Sequence, residues 1–440
     1  MMKVNRKKGF LKTGIRITLC VISVLVLCQF SFAKGKVELS LWSAYPELVP
    51  VYEEAIKDYC KLNPNVSIKV SAFPLRDQEK KVAVGFVGNN VPDIIEQQLD
   101  IMLKYHQQGY TANPPAEVAD YIARTVKPSY VDLAKVDGEI AFYPFFSGNK
   151  MLFWNKKMFR EAGINGPPKT YEEFADCAQK LTKYDKSGNI ESSGLSLRIS
   201  GQGSGIATKF SVYLNLFGGK IVEEYPGGKW KAVYNSEAGY KTLELYIDHL
   251  YKWRANDWNI KQDTEAFALE QTAMIDREAW VIGFMEQNAP HVEYDTAFLP
   301  DMGEWGTLTT LVGLWVPQGS QNQEAAWDFL KYLNSPRYLE NMVYDAGWVP
   351  VSQELDWDPI YKKYPQFIPA VEQPEGYEFW AKPIYPVADE VMSRLADRLI
   401  AAFRSPELAD NRTGIIKVMD EAAKETDAIL KRAGILYEGK

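Results

Sequence analysis

The chain has 440 residues, a formal net charge of −7 and an aromatic content of 13%. That length is too great for one ordinary hydrophobic core and suits two domains, and the acidic balance excludes a general attraction to nucleic acid or anionic lipid. His106, His249 and His291 lie far apart and no Cys/His cluster accompanies them, so a zinc or copper site has no support and no metal is expected.

The first 33 residues read as a targeting segment rather than as fold. Lys3, Arg6, Lys7, Lys8, Lys12 and Arg16 precede an apolar run from about residue 15 to residue 27, and Ser31-Phe32-Ala33 closes it. A charged head, an apolar middle and a small-residue exit make a secretory signal peptide. The run is shorter than the roughly 20 apolar residues that span a bilayer. An uncleaved anchor and lipoprotein processing at Cys28 are the alternatives, the second opposed by Leu27, where a small residue is needed. Cleavage after Ala33 removes six positive charges and no acid, shifting the net charge from −7 to −13. It also leaves two cysteines, Cys60 and Cys177. No later stretch is apolar enough to cross a membrane.

Val37 to Trp42 alternates apolar and polar and predicts a strand. A helix follows over 50–62, stopped by Asn63-Pro64-Asn65. Val66 to Ala72 is a second strand, Asp77 to Val87 a helix, and Asp93-Ile94-Ile95 a short buried strand. This alternation predicts an α/β domain with a largely parallel sheet, whose ligands collect beyond the carboxyl ends of the strands. Further on, Met151 to Trp154 reads as a strand and Lys157 to Ala162 as a helix. Thr170 to Leu181 is a helix with Thr170 and Glu173 as a capping box. Another helix runs from Asn235-Ser236 to about Trp253, Thr272 to Ile275 is a strand, Asn322 to Leu333 a helix, and the tail from Tyr385 is mostly helical.

Two strings look functional and are not. Asp185-Lys186-Ser187-Gly188-Asn189 lacks the glycine at position six and the closing glutamate of a calcium loop, and reads as a turn. Gly201-Gln202-Gly203-Ser204-Gly205 lacks the Lys-Ser/Thr of a phosphate loop and reads as a cleft edge, not a nucleotide site.

Six further strings occur in order: Gly88 to Ile94 (GNNVPDI), Asp137 to Ile140 (DGEI) with Pro144 to Gly148 (PFFSG), Phe153 to Phe159 (FWNKKMF), Pro168 to Phe174 (PKTYEEF), Ala273 to Trp280 (AMIDREAW) and Pro317 to Leu330 (PQGSQNQEAAWDFL). Together they make the chain resemble the extracellular sugar-binding proteins of ABC importers, the maltose-binding-protein-like family, over roughly residues 37–355. The resemblance implies a type II periplasmic-binding-protein fold: two α/β lobes, each a mostly parallel sheet flanked by helices, joined by about three hinge crossings. The crossings are expected at Tyr143-Pro144, Leu299-Pro300 and Asn334 to Pro336. Lobe one is then 37–143 plus 300–336, and lobe two 144–299 plus 337–440. Cys60 and Cys177 fall in different lobes and are expected as free thiols.

The implied function is capture of a sugar by hinge closure and its delivery to membrane permease subunits, by a monomer without cofactor. Sugar rings need flat aromatic faces for their C–H surfaces and planar polar groups for their hydroxyls. Trp280 ends the AMIDREAW string where the family carries a stacking tryptophan, with Arg277 and Glu278 just before it. Trp42 and Tyr45 end the first strand. Asp100 follows the PDI string at the family's cleft-lining position, with Glu96 and Gln97 nearer the strand end. Phe145, Phe146 and Asn149 follow the first expected crossing. Trp348 lies in a Gly- and Pro-containing loop that family members bring over the ligand. Where many members carry a Gly-Gly pair, this chain reads Thr309-Thr310-Leu311-Val312-Gly313-Leu314-Trp315, which makes Thr309, Thr310 and Trp315 further candidates and narrows the cleft. Two rivals stand beside this: the same fold binding a non-sugar solute, and a secreted glycoside hydrolase, for which no pair of facing carboxylates can be nominated.

Overall fold

In the computed structural model, which describes residues 35–439 except 89, 202 and 262, the first strand β1 (Val37–Ser43) is one-sided. Leu39, Leu41 and Ser43 are buried, and Glu38, Ser40 and Trp42 face the other way. Helix α1 (Val49–Leu62) buries Val51, Tyr52, Ala55 and Tyr59 on one stripe and stops at Asn63. Strand β2 (Val66–Ala72) pairs parallel with β1 along its whole length. Helix α2 (Leu75–Val87) leads to β3 (Ile94–Gln98), parallel to β1 on its other side, and helix α3 (Leu99–Gln107) follows. The expected signal segment lies outside the described residues.

The middle of the chain is organised by one long strand, β4 (Tyr143–Asn155). Asn155 caps helix α4 (Lys156–Glu161) by accepting from the Met158 N–H at 2.9 Å. Helix α5 (Tyr171–Lys180) is capped by Thr170, whose hydroxyl accepts from the Glu173 N–H at 3.3 Å. The return arm of the box reaches one residue further back, Glu173 accepting from the Lys169 N–H at 2.7 Å. Helices α6 (Gly205–Leu216) and α7 (Glu237–Ile247) follow, then β5 (Met274–Glu278), α8 (Trp280–Asn288), β6 (Tyr294–Ala297), a second long strand β7 (Gly306–Pro317), α9 (Gln323–Leu333), β8 (Glu378–Ala381), α10 (Ala388–Phe403) and α11 (Arg412–Arg432).

The main sheet runs β5-β4-β7-β3-β1-β2. It is parallel among β1, β2 and β3, whereas β7 against β3 and β4, and β4 against β5 and β6, are antiparallel. Parallel pairing, the expected pattern, thus holds among β1, β2 and β3 and again between β7 and β8, and the long strands add antiparallel pairs. The two long strands carry the chain between cores. β4 pairs with β7 as far as Asn149 and with β5 from Lys150 onward. At that switch the buried Thr307 hydroxyl donates to the Lys150 carbonyl (2.8 Å) and accepts from the Lys150 N–H (3.1 Å), satisfying backbone groups that would otherwise be buried unpaired.

Three cores result. The first gathers β1–β3, α1, α3 and α9 with Tyr143, Phe145, Phe146 and the second half of β7. The second packs α5, α6, α7, α10 and α11 around Leu152 and Met274. A smaller third joins Met151, Phe153 and Ile275 to α8 and to residues 343–371. The chain leaves the first core between Phe146 and Met151, re-enters between Leu308 and Leu311, and leaves after Val351. The lobe crossings at 143–144, 299–300 and 334–336 stay expectations, and these passages are changes of core. The first two lie inside continuous strands, which carry no turn residues to mark them, and Pro336 instead starts a short helix that packs in the first core. Among the described residues both cysteines are free thiols, Cys60 on α1 and Cys177 buried on α5.

Candidate functional site

The parallel strands β1 and β3 point their carboxyl ends at a cleft of ≈ 530 Å³. Ala44 to Glu47 enter it after β1, Pro74 and Leu75 after β2, and Gln98 at the end of β3. Facing them are Arg277 and Glu278 from the end of β5 and Trp280 and Phe284 from α8. Gly148, Thr310 and Val312 come from the two long strands, and Asp345 and Trp348 from the segment that leaves the first core.

Aromatic edges shape this wall. Tyr45 meets Trp348 edge-on at 5.3 Å, and Phe146 backs both, 5.0 Å from Tyr45 and 4.7 Å from Trp348. The Trp348 indole N–H donates to Glu47 Oε1 at 3.0 Å. Trp280 opens α8, meets Phe284 edge-on at 6.1 Å and has the Arg277 guanidinium 5.7 Å from its ring centroid. Gly347, at φ 72°, lets the Trp348 loop approach this turn: a Cβ there would stand 2.9 Å from the Trp280 Cα. We expect Gly347→Val to lose more than about 1 kcal/mol of stability, since the substitution meets both a left-handed backbone and a clash. Thermal unfolding of the variant checks this.

The polar side of the cleft is fixed by charge. Lys150, 1% exposed, places its ammonium 3.1 Å from Glu278 Oε1, and Arg277 sits 3.9 Å from Glu278 Oε2. Burial works to raise the Glu278 carboxyl, but Lys150, then Lys209 and Arg277, outweigh it and hold the group well below the usual carboxylate range. Arg277 is in turn fixed by Asp263 at 2.6 Å. Glu278 thus presents an ionised, hydrogen-bond-accepting carboxylate beside Trp280.

Of the residues nominated from sequence, Tyr45, Arg277, Glu278, Trp280, Trp348 and Thr310 line this one cleft. The others do not. Trp42 is half-buried against the rim of the first core, with Phe73 edge-on at 5.9 Å and the Lys81 ammonium 4.7 Å from its ring. Asp100 sits beside Lys382 (3.8 Å) in a second cavity of ≈ 510 Å³, lined also by Trp230, Trp380 and Tyr385. Phe145 stacks on Tyr52 inside the first core, and Phe146 supports the cleft from behind. Asn149 is locked in the strand switch, donating to the Ala370 carbonyl (2.7 Å) and accepting from Thr309 (2.7 Å). Trp315 is fully buried between Phe86 and Tyr105. Gln97 is fully buried and donates to Gln78. The period of two explains the last sets: Thr310 and Val312 face the cleft, so Thr309 cannot. Glu47, Gln98, Phe284 and Gln287 were not anticipated. They lie one to seven residues beyond nominated positions, and only the turn geometry brings them in.

Glu96 lies beneath the cleft and is fully buried. It accepts from the Ser43 and Tyr52 hydroxyls and from the Ala44 N–H at 3.2 Å. Burial dominates these bonds and pushes its carboxyl up to about 8. The folded chain therefore keeps a proton that the unfolded chain releases, and this group's contribution, intact below its ordinary value of 4.5, is lost as pH rises towards about 8. Glu96→Gln should flatten that fall. Unfolding midpoints of variant and parent between about pH 5 and about pH 9 read it out.

A family model for bacterial extracellular solute-binding proteins matches residues 54–370. The maltotriose-binding protein of Pyrococcus abyssi is 21% identical over 342 residues, covering 75% of this chain and 70% of that one. Among solved structures, an ABC substrate-binding protein of Listeria monocytogenes in complex with cycloalternan superposes with a TM-score of 0.75 at 17% identity, over 90% of this chain and 100% of that one. UgpB of Mycobacterium tuberculosis in complex with glycerophosphocholine gives 0.76 at 15% identity, over 91% and 100%. The fold is accordingly the two-lobed type II periplasmic-binding-protein fold.

Proposed function

The chain belongs to the bacterial extracellular solute-binding proteins, and from that premise we propose that it captures a sugar or short oligosaccharide in the ≈ 530 Å³ cleft and hands it to an ABC permease in the membrane. The observation that carries this is the pairing, in one cleft, of the Trp280, Tyr45, Trp348 and Phe284 rings with Glu278, Gln98 and Gln287. Flat apolar faces beside planar acceptors and donors match the two surfaces of a sugar ring. Tyr45, Glu47 and Gln98 hold the ligand from the first core, and Glu278 and Trp280 from the other side of the strand switch. Ligand contacts from both sides favour the closed arrangement of the lobes, with β4 and β7 as two of the hinge strands. No bond is made or broken. The protein acts as a monomer outside the inner membrane, in the periplasm after cleavage behind Ala33, or tethered by an anchor.

Native mass spectrometry of exported protein incubated with mono- and oligosaccharides tests this reading. The expected result is one retained sugar per chain, recovered unchanged after prolonged incubation. Sugar cleavage would transfer the cleft to a glycoside hydrolase, and retention of a non-carbohydrate solute alone would keep the fold and reject the sugar.

A further inference from the structure

Beside the main cleft lies a small polar cavity of ≈ 70 Å³, and Arg277 lines both. It has room for a few waters or the oxygens of one charged group, not for a sugar ring. Arg198 forms one wall. Its guanidinium is part-buried, and among the described residues its one hydrogen bond is a long one, Nε donating to the Ser200 carbonyl at 3.4 Å. Two glycines of the string that resembled a phosphate loop lie against it. A Cβ on Gly201 would stand 2.8 Å from Arg198 Nη2, and one on Gly205 2.9 Å from Nη1, so the backbone at these two glycines lies directly against the end of the guanidinium.

Most of the surrounding charges are paired. Asp263 pairs with Arg277 at 2.6 Å, Asp276 with Lys209 at 2.8 Å, and Glu278 with Lys150 at 3.1 Å. Asp257, the other acid lining the small cavity, accepts from the Asn259 N–H at 2.6 Å within its own loop, and Lys261 pairs with Glu265 at 2.5 Å. Among the described residues Arg198 is in no ion pair, and Asp257 is the one acid of the small cavity that is in none either. Arg76, reaching from α2 to the Ser204 hydroxyl at 2.9 Å, adds positive charge from the opposite lobe while held by Glu79 at 2.8 Å. Burial and then Arg277 both push the Arg198 guanidinium below its ordinary value, with Arg76 adding to them and Asp263 opposing. A guanidinium outside any ion pair, with donors left open among the described residues, is a seat for an oxyanion.

We propose that the ligand of the main cleft is an acidic sugar, whose carboxylate or phosphate oxygens seat on Arg198 in the small cavity. This rests on the sugar reading above and narrows it. Calorimetric titration with matched pairs tests it: glucose against glucuronate and glucose 6-phosphate, galactose against galacturonate, and the corresponding disaccharides. The acidic member should bind about 10- to 100-fold more tightly than its neutral partner, the size of one charge-assisted contact. Arg198→Gln should erase that difference, Arg198→Lys should keep part of it, and Trp280→Ala should weaken both members alike. A preference for uronates assigns the seat to a carboxylate, and one for the phosphate ester to a phosphate. Equal binding of neutral and acidic partners, with Arg198→Gln silent, overturns the inference and leaves the sugar reading standing. Binding of no sugar at all overturns both.

Discussion

Trp280→Ala should weaken sugar binding by about 30-fold or more, the loss of roughly 2 kcal/mol expected when a tryptophan that anchors a ligand is truncated. The ring opens α8 at the carboxyl end of the β5 turn, half-buried, with Phe284 against one edge and the Arg277 guanidinium 5.7 Å from its centroid. Alanine removes the apolar face on which a sugar would stack and the π surface that steadies Arg277. The backbone there is held independently, because Gly347 packs against Ala279 and Trp280 while Gly283 of α8 packs against Ala346 and Gly347. The variant should therefore keep its circular dichroism spectrum and most of its unfolding midpoint. Calorimetry with a ligand bound by the parent checks the affinity. Binding within about threefold of the parent would remove Trp280 from the sugar wall.

The second large effect concerns the pair beneath that wall. Lys150→Met should cost about 3–5 kcal/mol of stability near neutral pH, because it strands the Glu278 carboxylate, whose side chain is 15% exposed, without its nearest cation. Arg277 at 3.9 Å stays behind and keeps the loss towards the lower end. In the parent the Glu278 pKa is depressed in the folded state, so its contribution is present above the ordinary value of 4.5 and is lost only as pH falls far below it. Without Lys150 the balance moves towards burial and the pKa rises, so the penalty should shrink on acidification as Glu278 takes up a proton. The double variant Lys150→Met/Glu278→Gln should recover most of the loss. Denaturant unfolding of the four chains at two pH values reads this out, and a single-variant loss under about 1 kcal/mol at both would show that the pair does not matter.

Much of this architecture was legible in the sequence because the elements that carry it are one-sided. β1, α1, β2 and α5 each show one apolar face at the right period, and the turns that bound them contain Asn, Pro or Gly. The long strands were hidden for the opposite reason. β4 is buried on both faces through Phe153, so Tyr143 to Asn155 has no alternation to reveal it, and its Ser147-Gly148-Asn149 stretch imitates a turn. The first two changes from one core to another lie inside these strands and are hidden with them.

The candidate site divides in the same way. Trp280, Arg277, Glu278 and Trp348 were found because their strings place them at a strand end or in a loop beside a glycine. Trp42 was misplaced by one pleat: it is the last outward position of β1, and the cleft starts two residues later at Ala44. Phe145, Phe146 and Trp315 were drawn in by the expectation that aromatics near a crossing face the ligand, whereas the first core needs their volume. Lys150 carries no signal in sequence at all. A lysine in an apolar run is explained only when β5 pairs with β4 and sets Glu278 opposite it.

The most direct test of the central claim is intrinsic tryptophan fluorescence of the folded, ligand-free protein, titrated with neutral and acidic mono- and oligosaccharides. Trp280 and Trp348 both line the cleft, so occupancy must change their surroundings. A saturable change is expected with one or a few sugars, lost in Trp280→Ala. No change with any sugar, from protein shown to be folded and empty, would contradict it.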